Sequence, residues 1–67
     1  MTQLKQNIYE EIRKKPLINK VAQAANISEQ SIRLWSNKKD MRLLAYPIMR
    51  VLAEHYNVQI PELLEIN

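Results

Sequence analysis

Not one of the 67 residues is a glycine or a cysteine. Every backbone position that needs a left-handed conformation must therefore be filled by a residue carrying a β-carbon, and Asn is among the least penalised of these. The same absence removes the glycine-rich phosphate loop of nucleotide enzymes and the glycine-dependent hairpin turns. Without cysteine there are no disulfides, no thiolate zinc ligands and no thiol nucleophile. His55 is the single histidine, so one chain cannot assemble a multi-histidine metal site. No metal, cofactor or small-molecule substrate is expected. A chain this short reads as one domain over residues 1–67, and 46% hydrophobic with 25% charged residues is globular composition. The longest apolar run, Leu43 to Met49, is far shorter than the roughly 20 residues that cross a bilayer. Lys5, Glu10 and Glu11 near the start are unlike the apolar core of a signal peptide. The expected location is cytoplasmic, with no membrane partner.

A net charge of +3 conceals a stronger asymmetry. The stretch from Arg13 to Arg50 carries nine basic residues against two acids, Glu29 and Asp40, whereas the flanks carry Lys5 against five glutamates. A basic middle between acidic flanks suits a polyanion, of which DNA is the commonest. A purely solvated lysine face has the same composition, so charge alone leaves both readings open.

Hydrophobic spacing predicts an all-α chain of five short helices, with no strand pattern. Thr2 is the expected cap of the first, whose apolar stripe is Leu4, Ile8 and Ile12 with Tyr9 beside it. Lys14 and Lys15 would sit in its last turn, opposing the negative end of the helix dipole, before Pro16 ends it. The second helix runs from about Ile18 to Ala25, with Leu17, Val21, Ala22 and Ala25 inward and no strong cap in front. Asn26 can make the tight turn that follows, and Ser28 caps a third helix reaching about Ser36. Ile32 and Trp35 share its inner face, and Ile27 can staple onto Ile32. Its opposite face presents Gln30, Arg33, Leu34 and Asn37, with Glu29 at the edge. After a basic connector comes a fourth helix from about Pro47 to Tyr56, facing Ile48, Val51, Leu52 and Tyr56 inward and closed by Asn57. Pro61 opens a short final helix through Glu62, Leu63 and Leu64.

Two short helices joined by a three-residue turn, over about residues 18–36, form a helix-turn-helix pattern. Small Ala22 allows the close crossing. Such a unit buries too little apolar surface alone and needs the remaining helices around it. The narrow margin favours support from a second copy.

The run Val21-Ala22-Gln23-Ala24-Ala25-Asn26-Ile27-Ser28-Glu29-Gln30-Ser31-Ile32 resembles the helix-turn-helix of phage repressors and Cro-type regulators, the XRE-like family. Ala53 to Leu64, with its final Leu63-Leu64, resembles that family's closing segment, so the likeness extends from about Leu4 to Leu64. The chain differs where the family often has Gln near the start of the second helix, here Ile18, and Asn19 or Lys20 would take over that phosphate contact. Asn26 replaces the usual turn glycine, and Ser36-Asn37-Lys38 stands where Glu-x-Gly is common.

The resemblance implies a lambda-repressor-like helix-turn-helix domain whose third helix lies in the major groove. Gln30 would then read adenine, Arg33 would pair with guanine or bridge to phosphate, Glu29 would accept from cytosine and Leu34 would touch a thymine methyl. Lys20, Ser28, Ser31, Asn37, Lys38, Lys39 and Arg42 would contact phosphates, joined by backbone N–H groups at the helix starts. Trp35 is expected in the core rather than as a stacking platform, and Lys14 and Lys15 as helix-end charges rather than DNA contacts. The implied function is a transcriptional regulator of phage, prophage or plasmid origin that binds double-stranded operator DNA as a homodimer on a pseudo-palindrome. The dimer surface would use either the Leu64-Glu65-Ile66 tail or the Tyr46 to Tyr56 helix. A module that kept the fold without base reading, an antitoxin-like or anti-repressor adaptor, is the alternative. No catalytic residue is expected: His55 has no spaced nucleophile and acid around it, and adjacent Glu10 and Glu11 diverge by about 100° on a helix.

Overall fold

A computed structural model describes residues 2–66. The chain is mostly helical, and its order is β1 (Thr2–Leu4), α1 (Gln6–Glu11), α2 (Leu17–Ala25), α3 (Glu29–Lys38), a 3-10 turn (Met41–Leu44), α4 (Tyr46–Tyr56), a second 3-10 turn (Ile60–Leu63) and β2 (Leu64–Ile66). Among the described residues four α-helices therefore stand where five were expected, and the predicted fifth is the 3-10 turn at Ile60–Leu63. The Gln59 N–H donates to the Glu62 carboxylate there at 2.6 Å, and the chain then extends into β2.

The two strands correct the expectation of a strand-free chain. They pair antiparallel, with Thr2 opposite Ile66, Gln3 opposite Glu65 and Leu4 opposite Leu64. Thr2 is thus a strand residue and caps nothing, and α1 begins behind Lys5, which has no side-chain cap. The Lys5 N–H donates to the Leu63 carbonyl at 3.0 Å, so the pairing continues one residue past the strand. Leu4 is nonetheless fully buried, because its side chain points to the core from a strand as it would from a helix. Tyr9, also buried, accepts a hydrogen bond at its hydroxyl from the Leu4 N–H at 3.2 Å. This fastens the strand to the helix that follows.

α1 stops at Glu11, with Ile12 as its cap, so Lys14 and Lys15 lie beyond its last turn rather than in it. Lys14 instead reaches back to Glu11, Nζ to Oε1 at 3.3 Å. α2 has no side-chain cap at Pro16, and Ile18 is fully buried. It packs against α3 and against α4. The core gathers Leu4, Ile12, Ile18, Ile32, Leu43 and Leu52 from almost every element. On α4 the buried residues are Ile48, Met49 and Leu52, while Val51 and Tyr56, expected inside, are only partly buried. The Tyr56 hydroxyl is shielded from solvent with no hydrogen-bond partner among the described residues. Burial, and secondarily the nearby Glu11 charge, raise its pKa above the usual tyrosine value.

Three helices end in the same way without glycine. Asn26, Lys39 and Asn57 all adopt left-handed geometry, with φ of 56°, 53° and 56°. In each case the next residue's N–H bonds a carbonyl five residues back: Ile27 to Ala22, Asp40 to Trp35 and Val58 to Ala53. Among the described residues no helix is long and apolar enough to cross a membrane.

Candidate nucleic-acid interface

α3 is positioned from both ends and from behind. In front, Ser28 is extended (φ −77°, ψ 154°), and its Oγ accepts from the Ser31 N–H at 3.1 Å. Behind, Ile32 is fully buried and the Ser36 side chain is folded inward, its hydroxyl donating to the Arg33 carbonyl at 2.9 Å. Trp35 is partly buried against the core, with the Arg42 guanidinium 5.4 Å from its ring centroid. At the far end Lys39 makes the left-handed turn, and Asp40 caps the following 3-10 turn by accepting from the Arg42 N–H at 2.9 Å. The helix runs two residues past the expected end at Ser36, because the turn falls at Lys39.

The outward side of α3 carries Gln30, Arg33, Leu34 and Asn37, all exposed, with partly buried Glu29 at its edge. Leu34 is 50% exposed, which is notable for a leucine flanked by polar residues. Arg33 and Glu29 form a loose ion pair, Nη2 to Oε1 at 3.8 Å.

Several of the residues expected to touch phosphate gather near the end of α3. Lys38 and Lys39 are exposed, and the Lys39 ammonium lies 5.8 Å from the Tyr9 ring centroid. Arg42 is exposed and held between the Trp35 ring and Asp40, 3.7 Å from its carboxylate. Asn37 accepts a hydrogen bond from Arg13. The Asn37 amide N–H groups are not engaged in that bond and are the donors a phosphate could accept from.

Ser28 and Ser31 are more constrained than spacing suggests. Their hydroxyls bond each other at 3.0 Å, and Ser28 already serves the cap. One hydroxyl proton of the two is used in that mutual bond, so the pair can donate one bond outward while it stays intact. The Ser31 backbone N–H is likewise taken by the cap.

Lys20 is not brought into this group. It is exposed beside Gln23 and Ala24 of α2, and lines a groove with Val51, Glu54 and His55 of α4. His55 is exposed there, edge-on to Tyr56 with ring centroids 4.9 Å apart. Among the described residues no three His, Asp or Glu side chains are grouped to hold a metal ion.

Arg13 is the residue that sequence reasoning left without a role. It counted only toward the basic excess, yet it ties the loop after α1 to the end of α3, 24 residues away. No local pattern signals such a bond.

Compared with known proteins, the chain matches no family model, no curated protein and no solved structure.

Proposed function

We propose that this chain is a helix-turn-helix DNA-binding transcriptional regulator of the Cro/repressor type, working as a homodimer on a pseudo-palindromic operator. The observation that carries the reading is the split of α3. Ile32 is sealed in the core while Gln30, Arg33, Leu34 and Asn37 stand exposed together, beside a basic helix end with Lys38, Lys39 and Arg42. A ten-residue helix is about 15 Å long and about 10–12 Å across with its side chains. A B-DNA major groove about 12 Å wide admits it.

In this reading Gln30 pairs with adenine N6 and N7, Leu34 contacts a thymine methyl, and Arg33 and Glu29 address a G·C pair. Lys38, Lys39, Arg42 and the Asn37 amide set the module on the phosphates. Lys20, at the groove between α2 and α4, would contact a phosphate apart from this group, and the Ser28–Ser31 pair would supply one donor.

The test is footprinting of the purified protein on DNA from its own genomic neighbourhood at several salt concentrations. A protected pseudo-palindrome and an affinity that falls with salt are the expected result. Uniform, unprotected binding, or none, would sink the reading.

The adaptor reading has one observation of its own. Tyr46 is 67% exposed at an apolar groove lined by Leu44, Met49, Ile60 and Leu64, and none of these five residues lies on α3. If Gln30→Ala with Arg33→Ala leaves every binding activity intact, that surface rather than α3 is the working one.

A further inference from the structure

We infer that Glu29 and Arg33 act as one reading unit that selects a G·C pair and penalises every other seat on the duplex. This rests on α3 entering a major groove with Arg33 and Glu29 at a G·C pair, and deepens that reading by coupling the two residues and giving Glu29 a repulsive role.

The two residues stand one helical turn apart, so their side chains emerge on the same side of α3. Their closest atoms are 3.8 Å apart, too far for a direct hydrogen bond, and the side chains are 50% and 35% exposed. Both groups therefore keep free hydrogen-bonding capacity toward the solvent side. The guanidinium has donors left for a fork, and the carboxylate has lone pairs left to accept. A surface that satisfies both must offer two adjacent acceptors next to an amine donor. Guanine O6 and N7 are such an acceptor pair, and cytosine N4 is the matching donor.

The alternative seat for Arg33 is a phosphate. Glu29 opposes it: moving the guanidinium to the backbone would turn an uncompensated carboxylate toward the phosphate charge. Glu29 is the first residue of α3, where a carboxylate lies favourably in the field of the helix dipole. Arg33 has this acid beside it, whereas Lys38 and Lys39 at the basic end of α3 have no ion pair within 4 Å among the described residues. Of the positioning charges the two lysines are thus unpaired, while Arg42, 3.7 Å from Asp40, and the reading charge Arg33 each have an acid beside them. Specificity built by repulsion of wrong seats needs such an element.

The test is selection from a randomised duplex library with the purified full chain and with Glu29→Gln, Arg33→Gln and the double variant. Each is also titrated against one fixed unrelated duplex. Glu29→Gln keeps the side-chain shape at a partly exposed site, and a thermal melt verifies that it folds. The wild-type pool should contain a fixed G·C pair. In Glu29→Gln that position should lose roughly tenfold discrimination while the other positions stay, and unrelated duplex should bind more tightly. Arg33→Gln should lose the same position, and the double variant should lose no further position. If Glu29→Gln selects the same motif with undiminished discrimination, the coupled unit is wrong while DNA reading stands. If the wild-type chain selects no motif at all, groove reading itself fails, and this inference with it.

Discussion

The turns at the two ends of α3 share one backbone geometry and differ in the residue that makes it. Before α3 the left-handed position is Asn26, with φ 56° and ψ 47°; after α3 it is Lys39, with φ 53° and ψ 43°. Each is soon followed by a short capping side chain, Ser28 in the first case and Asp40 in the second. Asn tolerates this conformation because its short polar side chain suits it, whereas Lys carries a β-carbon penalty with no such relief. The front turn is therefore built for stability. The rear turn accepts strain and places an exposed cation at the end of the proposed reading helix. Its lysine recovers a little by lying over the Tyr9 ring.

Both turns depend on α3 being anchored. Ile32→Ala should cost about 2–5 kcal/mol, because a fully buried side chain leaves a cavity behind. Chemical denaturation measures it, and a loss under 1 kcal/mol would mean the helix is held by its turns rather than by its core face. Asn26→Ala should cost about 1–2 kcal/mol by forcing a bare β-carbon into the left-handed region. Ser28→Ala should cost about 1 kcal/mol through loss of the cap to the Ser31 N–H.

The rear turn should respond in the opposite direction. Lys39→Gly should stabilise the fold by about 0.5–1 kcal/mol, the relieved strain outweighing the extra freedom of the unfolded chain. In the same variant duplex affinity should fall about equally for all sequences, and the salt slope should flatten by about 1. A variant that is both more stable and undiminished in binding would remove the contrast between the two turns.

The third left-handed turn, at Asn57, supplies the smallest effect. Tyr56 beside it has a raised pKa, so its neutral form is favoured in the folded state. Stability should be unchanged by this group below the ordinary tyrosine pKa of about 10, and should fall as pH rises through the higher folded value. Alkaline melts of Tyr56→Phe should lack that fall, and the variant should be no less stable at neutral pH, since no hydrogen bond is lost.

The residues that were legible in advance are those whose signals lie within one turn of chain. Asn26, Ser28 and Asn57 announce their roles by residue type and by position between apolar runs. The buried stripe of Ile8 and Ile12, and the division of α3 between Ile32 and Gln30, follow from helical spacing in the same way. Nothing in the sequence announces the turn at Lys39, because lysine carries no preference for the geometry it adopts. Met49 was missed because Val51 matched the apolar period nearly as well, and only packing against neighbouring elements separates them.

Composition and local order thus determined that this chain would be mostly helical, glycine-free at its turns and basic through its middle. They also settled which side of α3 would be apolar. Tertiary structure alone decided that Thr2–Leu4 would be a strand, that its partner would be Leu64–Ile66, and that Arg13 would hold Asn37. The reason is distance along the chain. A helix satisfies its backbone groups within four residues. A pair of three-residue strands at opposite ends does so only once the core between them has brought those ends together.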